Sequence, residues 1–286
     1  MDNDLTDRSI TTVYEPEPQP GTGILHPFPT AEIPHLDPFV FLDTGAPRHL
    51  GEHEIFVGPH PHRGVQPVSL VFRARIEHRD SLGNHATVTS GGMQWLVAGA
   101  GALHEEVLNG DEKGVFHMAQ LWVNVAADQK MGPPAHHAVA PDEVPVLTDL
   151  APGVTVRLFA GELDGVSGPA PLGTPVLIAH VMVVSPTSVT IPIPPGWTTG
   201  VTVVDGAIDL DGRHGLAAGA TAVYADDGDQ ITIGSTTGGE ALVMAGQPIG
   251  EPVVMGGGFV MTSDDDIAVA FEDLRAGRFG DLTPSR

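Results

Sequence analysis

His60-Pro61-His62-Arg63-Gly64 and, some forty residues on, Gly99-Ala100-Gly101-Ala102-Leu103-His104-Glu105-Glu106 are the two ends of the stretch from which this chain is read. Each end holds two metal-ligating side chains separated by one residue. On a β-strand, residues i and i+2 project from one face, so His60/His62 and His104/Glu106 each form a one-sided pair. Between them the pattern is strand, tight turn and strand, which folds the second pair back beside the first. Three imidazoles and a carboxylate converging inside a β-barrel make a mixed nitrogen and oxygen donor set. It suits Fe(II), Mn(II), Ni(II), Cu(II) or Zn(II) and leaves positions open on a six-coordinate ion.

Outward from this stretch the chain reads as all-β. Val68–Phe72, Arg73–Arg79, His85–Thr89, Met93–Val97 and Phe116–Val125 are short strands, divided by turns at Asp80–Asn84 and Ser90-Gly91-Gly92. Short strands at this spacing indicate a sandwich or barrel. The 36 glycines and 26 prolines fit many turns better than long helices. The second half repeats the grammar: Asp205-Gly206-Ala207-Ile208-Asp209-Leu210 sits where Arg73–His78 sat, an offset of 132 residues from Ala74 to Gly206. At that offset His60, His62, His104 and Glu106 fall on Pro192, Pro194, Thr236 and Gly238. The expectation is two similar barrels with one metal, in the first only. One helix is signalled: Ser263 is an N-cap with Asp266 three residues on, Ile267, Phe271 and Leu274 share a face, and Gly277 closes it. Its apolar face is expected to dock on a barrel.

The length of 286 residues, at about 150 residues per domain, predicts two domains. The expected divisions are an N-terminal arm over 1–24, a metal-bearing barrel over 25–140, and a metal-free barrel with the helix over 141–286. The arm is polar, Pro-rich and expected to be mobile or draped on the surface. With 36 acidic against 13 basic residues, a net charge of −23 argues against direct binding to nucleic acid or to an anionic membrane. It would suit a basic protein partner. The absence of cysteine excludes disulfides, thiolate metal sites and a thiol nucleophile. Met1–Leu5 lacks signal-peptide character and no apolar run approaches membrane-spanning length, so the expected location is cytoplasmic.

Several ordered motifs between about residues 25 and 280 resemble the pirin family of the cupin superfamily. They include His60-Pro61-His62-Arg63-Gly64, Glu77–His85, Gln94-Trp95, Ala98–Gly101, Leu121-Trp122-Val123-Asn124, Lys130–Pro134, Glu251–Val254, Gly258–Met261 and Phe271–Arg278. The resemblance implies two tandem cupin barrels of double-stranded β-helix (jelly-roll) form with a short C-terminal helix. It implies one iron, Fe(II), or a similar divalent metal on His60, His62, His104 and Glu106. Bacterial members are associated with quercetin 2,3-dioxygenase activity, which implies a flavonol or other small phenolic and O2 as partners. In that chemistry Glu106 is the catalytic candidate, a general base for the substrate's 3-hydroxyl proton. The vertebrate member is associated with an iron-dependent transcription-cofactor role. The alternatives are therefore a non-catalytic, iron-dependent redox-sensing regulator that binds a protein partner, or a cupin enzyme for another small phenolic. Gln66 stands where the family usually has Glu. It is expected on the His62 face and within reach of the ligands' hydrogen-bond partners. Arg63, on the other face, is expected to hold the barrel rim. His78, His85, His117, His136 and His137 read as strand-face or surface residues, since none sits in a paired spacing that faces the site.

Overall fold

The computed structural model describes residues 5–170, 173–184 and 186–286; residues 1–4 of the expected arm lie outside them. The described chain is mostly β-strand with one α-helix, Asp264–Arg275, and the two cupin domains anticipated above. Among the described residues, no helix is long and apolar enough to cross a membrane. Residues 1–46 and 144–248 form one compact unit, and 47–143 with 249–286 form the other.

The unit containing the histidine pairs is built from two antiparallel sheets. In the first, Ala102–Asn109 lies between Ile55–His62 and Arg75–Asp80, with His85–Thr89 outside the latter. In the second, Val65–Arg73 lies between Met93–Val97 and Val115–Asn124, and Ala135–Val139 pairs with Met93–Val97. The chain passes from the second sheet to the first at Ala74, the point matched by Gly206 in the other unit. One end of the interior is apolar, formed by Val71, Ala74, Ile76, Val88, Leu108 and Met118. The other end is occupied by histidines and their polar partners, so this apolar core is small.

The other unit has no such division. Ile191, Ile193, Ile231, Ile233, Val189, Val201, Val203 and their neighbours form one continuous apolar core. Pro192 and Pro194, at the positions matched to His60 and His62, are exposed on alternate residues of that segment. Among the described residues, no cluster of histidines and carboxylates suited to a metal falls in this unit. Ile10–Tyr14, within the segment expected as an arm, pairs as a strand with Thr221–Tyr224.

The helix forms where its caps predict. Ser263 is extended, accepts from the Asp266 amide at 3.1 Å and donates to the Asp266 carboxylate at 2.7 Å. At the far end Gly277 takes φ +71°, its amide donates to Leu274, and the Arg278 amide donates to Asp273. Ile267, Ala270 and Leu274 pack with Phe259, Met261 and Phe279. Phe271 meets Phe259 edge-on, at 5.1 Å between ring centres. Arg63 ties this layer to the strands: its guanidinium donates to Asp273 at 2.7 Å and to the Ala100 carbonyl at 2.7 Å, and lies over the Phe279 ring. The helix thus belongs to the unit of the histidine pairs, although it follows the second barrel in sequence. Ser263→Ala should lower stability by about 1 kcal/mol, read as a shifted urea midpoint with unchanged slope.

Candidate metal centre

Ala102–Asn109 is buried on both faces, and the period of two divides its work. Leu103 packs toward the helix layer, and Glu105 accepts from Arg79 and from the Ser285 amide at 2.6 and 3.1 Å. His104 and Glu106 point into the barrel. Across the sheet His104 pairs with His60, and Ala102 with His62, while Glu106 pairs with Val57. Between those pairs the strand Ile55–His62 takes one extra residue, a bulge that re-aims the chain beside the cluster.

The structure brings His60, His62 and His104 together, with ring centres 4.2 to 5.0 Å apart. One ring nitrogen from each lies within 4.8 Å of the others, as metal-holding groups require. The outer nitrogens are all engaged. His60 Nδ1 bonds the Gly58 carbonyl at 2.9 Å, and His62 Nδ1 bonds the Gly258 carbonyl at 2.9 Å. His104 Nδ1 lies 3.4 Å from Nδ1 of His78. Carbonyls only accept, so His60 and His62 carry their protons on Nδ1 and keep Nε2 as a lone pair. His104 Nε2 is buried without a hydrogen-bond partner among the described residues. A bare imidazole nitrogen of this kind fits a cation held at the centre of the three rings.

Burial disfavours the charged form of His62, and the neighbouring His60 adds to it, lowering its pKa to about 3. His104 is pushed well below its ordinary value by burial and then by His62 and His60. Both stay neutral when the unfolded chain would protonate them, near pH 6.5. Below that pH the unfolded state binds more protons, so His62 makes the metal-free protein lose stability progressively from about pH 6.5 down to about 3, with His104 acting in the same direction. The slope is at most about 1.4 kcal/mol per pH unit for each group. Urea titrations of metal-free protein at pH 7, 6 and 5 should show it. His62→Phe should flatten the dependence, and an unchanged slope would contradict the assignment.

Glu106 is near these rings without forming a single group with all three. Its carboxylate groups with His104 and His78. Oε1 accepts from Gln94 Nε2, with Ser69 Oγ at 3.3 Å, and Oε2 accepts no hydrogen bond among the described residues. Ser69 in turn lies 2.7 Å from Gln120 Oε1 and accepts from Gln94 at 3.1 Å. Trp122 closes the side of His62, ring centres 5.0 Å apart.

Three positions differ from expectation. Gln66 accepts from Trp95 Nε1 at 2.6 Å, on the strand face opposite Ser69 and Gln94. The turn at Gly64, with φ +69°, interrupts the alternation, so counting faces from His62 fails beyond it. His78 is fully buried inside the barrel against His104, and His136 stacks on it at 3.8 Å. The available signal was the spacing His78-Arg79-Asp80, itself an i, i+2 pair of ligand-type residues. Ser69 and Gln120 carried no sequence signal, and Gln94 entered only through the Gln94-Trp95 motif, because which face of the second sheet meets Glu106 depends on how the two sheets close.

Residues 21–123 match the Pirin family model, and residues 178–280 match that of the Pirin C-terminal cupin domain. The pirin-like protein of Caulobacter vibrioides is 31% identical over 252 residues, spanning 87% of this chain and 90% of its own. Pirin of Mus musculus is 31% identical over 257 residues, spanning 87% and 85%. The crystal structure of quercetin 2,3-dioxygenase from Acinetobacter baumannii aligns with a TM-score of 0.90 at 30% identity, over 97% of this chain and 100% of that one.

Proposed function

This chain belongs to the pirin family, and on that premise we propose that it is a metal-dependent dioxygenase acting on flavonols such as quercetin. The observation that carries the reading is the set of three anchored imidazoles with inward nitrogens beside a carboxylate whose Oε2 is uncommitted among the described residues. The solved relative named as a quercetin 2,3-dioxygenase supports the choice of substrate.

Nε2 of His60, His62 and His104 would hold the ion, with Glu106 completing the set; Fe(II) is the ion we favour, and Mn, Ni, Cu or Zn suit the same donors. Bound there, a divalent ion supplies charge stabilisation for a phenolate and open positions for substrate and O2. The chain's own part is acid–base and positional. Glu106, as ligand or on its release from the ion, would take the 3-hydroxyl proton at Oε2, while Gln94 pins Oε1 and so fixes the direction of the lone pair that receives it. Trp122 packs edge-on against the His62 ring and bounds the site on that side.

The test is O2 consumption by protein reconstituted anaerobically with Fe(II), begun by adding quercetin. Uptake requiring both metal and quercetin is the expected result. Protein with bound metal and no uptake, repeated with Mn, Ni and Co, would overturn the assignment.

A further inference from the structure

Behind His104, and on the same inner face of the barrel, lies a second pair of polar residues that the ligand set does not use. Asp80 pairs across the strands with His104, and His78 with Glu106. Both are buried, His78 at 1% exposure and Asp80 at 4%. His78 Nε2 bonds Asp80 Oδ2 at 3.1 Å, and His78 Nδ1 faces His104 Nδ1 at 3.4 Å. Asp80 is held in turn. Its Oδ1 accepts from the amides of Leu82 and Asn84, each at 2.9 Å, and its Oδ2 accepts from the Asn84 side chain at 2.8 Å.

We infer that Asp80 and His78 form a directional hydrogen-bond relay that fixes His104 as its Nδ1–H tautomer and so keeps Nε2 bare for the cation. The inference rests on the metal-centre reading above. The direction follows from which atoms can donate. Every bond to Asp80 comes from a donor, so the carboxylate accepts from His78 Nε2–H. That leaves His78 Nδ1 as a lone pair, able only to accept. His104 must then donate from Nδ1, which agrees with a buried Nε2 that has no hydrogen-bond partner among the described residues. His60 and His62 are set the same way by single backbone carbonyls; His104, at the centre of the sheet, has a side-chain relay instead.

His78, Asp80 and His136 also lie close enough together to suggest a second ion. The geometry argues against it. The His78 and His136 rings are parallel within 3° at 3.8 Å, so their in-plane lone pairs cannot converge on one point. Both nitrogens of His78 are already committed to Asp80 and His104. His78 is therefore a positioning residue.

Asp80→Asn tests the direction without changing size. The two backbone amides require an oxygen at the Oδ1 position, so the new NH2 must occupy the Oδ2 position, where one N–H donates to His78 Nε2 and the other to the Asn84 side-chain oxygen once that amide turns over. His78 then carries its proton on Nδ1 and donates to His104, which is left with its proton on Nε2, facing the site. Imidazole 15N–1H spectra of the metal-free protein read this directly. The expected result is His104 as Nδ1–H in the native chain and as Nε2–H in D80N. Co(II) titration against a competing chelator, with the visible absorption of the bound ion, gives the second readout. Affinity should fall about 10- to 100-fold in D80N and in His78→Phe, and stay unchanged in His136→Phe, which alters the stack but not the relay. Native His104 found as Nε2–H, or D80N and H78F binding Co(II) like the native chain while His104→Ala does not, would overturn the relay alone. No Co(II) binding by the native chain, or equal binding by H104A, would overturn the metal centre and the relay with it.

Discussion

Glu106→Gln should abolish most quercetin-dependent O2 uptake per bound metal ion, by about 10²- to 10⁴-fold, the range expected for losing a positioned general base. The substitution is nearly isosteric, and the fold gives it a defined outcome. Gln94 Nε2 donates to Glu106 Oε1, and the amide oxygen of the variant can still accept that bond. The NH2 therefore takes the place of Oε2, the atom assigned to the proton. It has no lone pair to offer. His60, His62 and His104 remain, anchored at Nδ1 by contacts that do not involve residue 106. The variant should thus keep a weakened but measurable ion, and the rate must be divided by metal content measured on the assayed sample. Uptake per bound ion equal to the native value would remove Glu106 from the chemistry. Full loss of metal would instead make the carboxylate chiefly a ligand.

Gly258→Ala should cost the protein metal affinity from outside the ligand set. Gly258 sits in the hairpin Val254–Met261 with φ +88°, and its carbonyl accepts from His62 Nδ1 at 2.9 Å. A Cβ there would lie 2.2 Å from the Pro61 carbonyl oxygen, and 3.5 Å from His62 Nδ1. The hairpin has to move away from Pro61, and with it the carbonyl that sets the tautomer of His62. We expect about a 10- to 100-fold loss of Co(II) affinity. A stability loss of about 1–3 kcal/mol from the strained backbone should accompany it. Gly277→Ala is the control: it has φ +71° and open space where its Cβ would stand, so it carries the same backbone strain without the collision. Equal Co(II) affinity in the two variants would refute the link between hairpin and site.

The chain's local rules were legible without coordinates. Alternation and turn residues gave strands at Val68–Phe72, Arg73–Arg79, His85–Thr89, Met93–Val97 and Phe116–Val125, and Ser263 and Gly277 gave the helix ends. The spacings His60/His62 and His104/Glu106 placed each pair on one face. The repeated strand pattern, offset by 132 residues from Ala74 to Gly206, foretold a second barrel. All of these depend on residues within a few positions of one another, where the period of a strand or a helical turn fixes direction. What surrounds the pairs was decided by tertiary structure. Gln66 changed faces because a positive-φ turn at Gly64 resets the alternation. His78 and Asp80 became inner residues because Arg75–Asp80 pairs with the same strand as Ile55–His62, on its other edge. Gln94 and Ser69 reached Glu106 only because the second sheet closes over the first. The acceptor for His62 comes from Gly258, 196 residues away. Such partners are set by the register between strands and the closure of sheets, and a side chain carries no mark in the sequence of the strand it will face across a barrel.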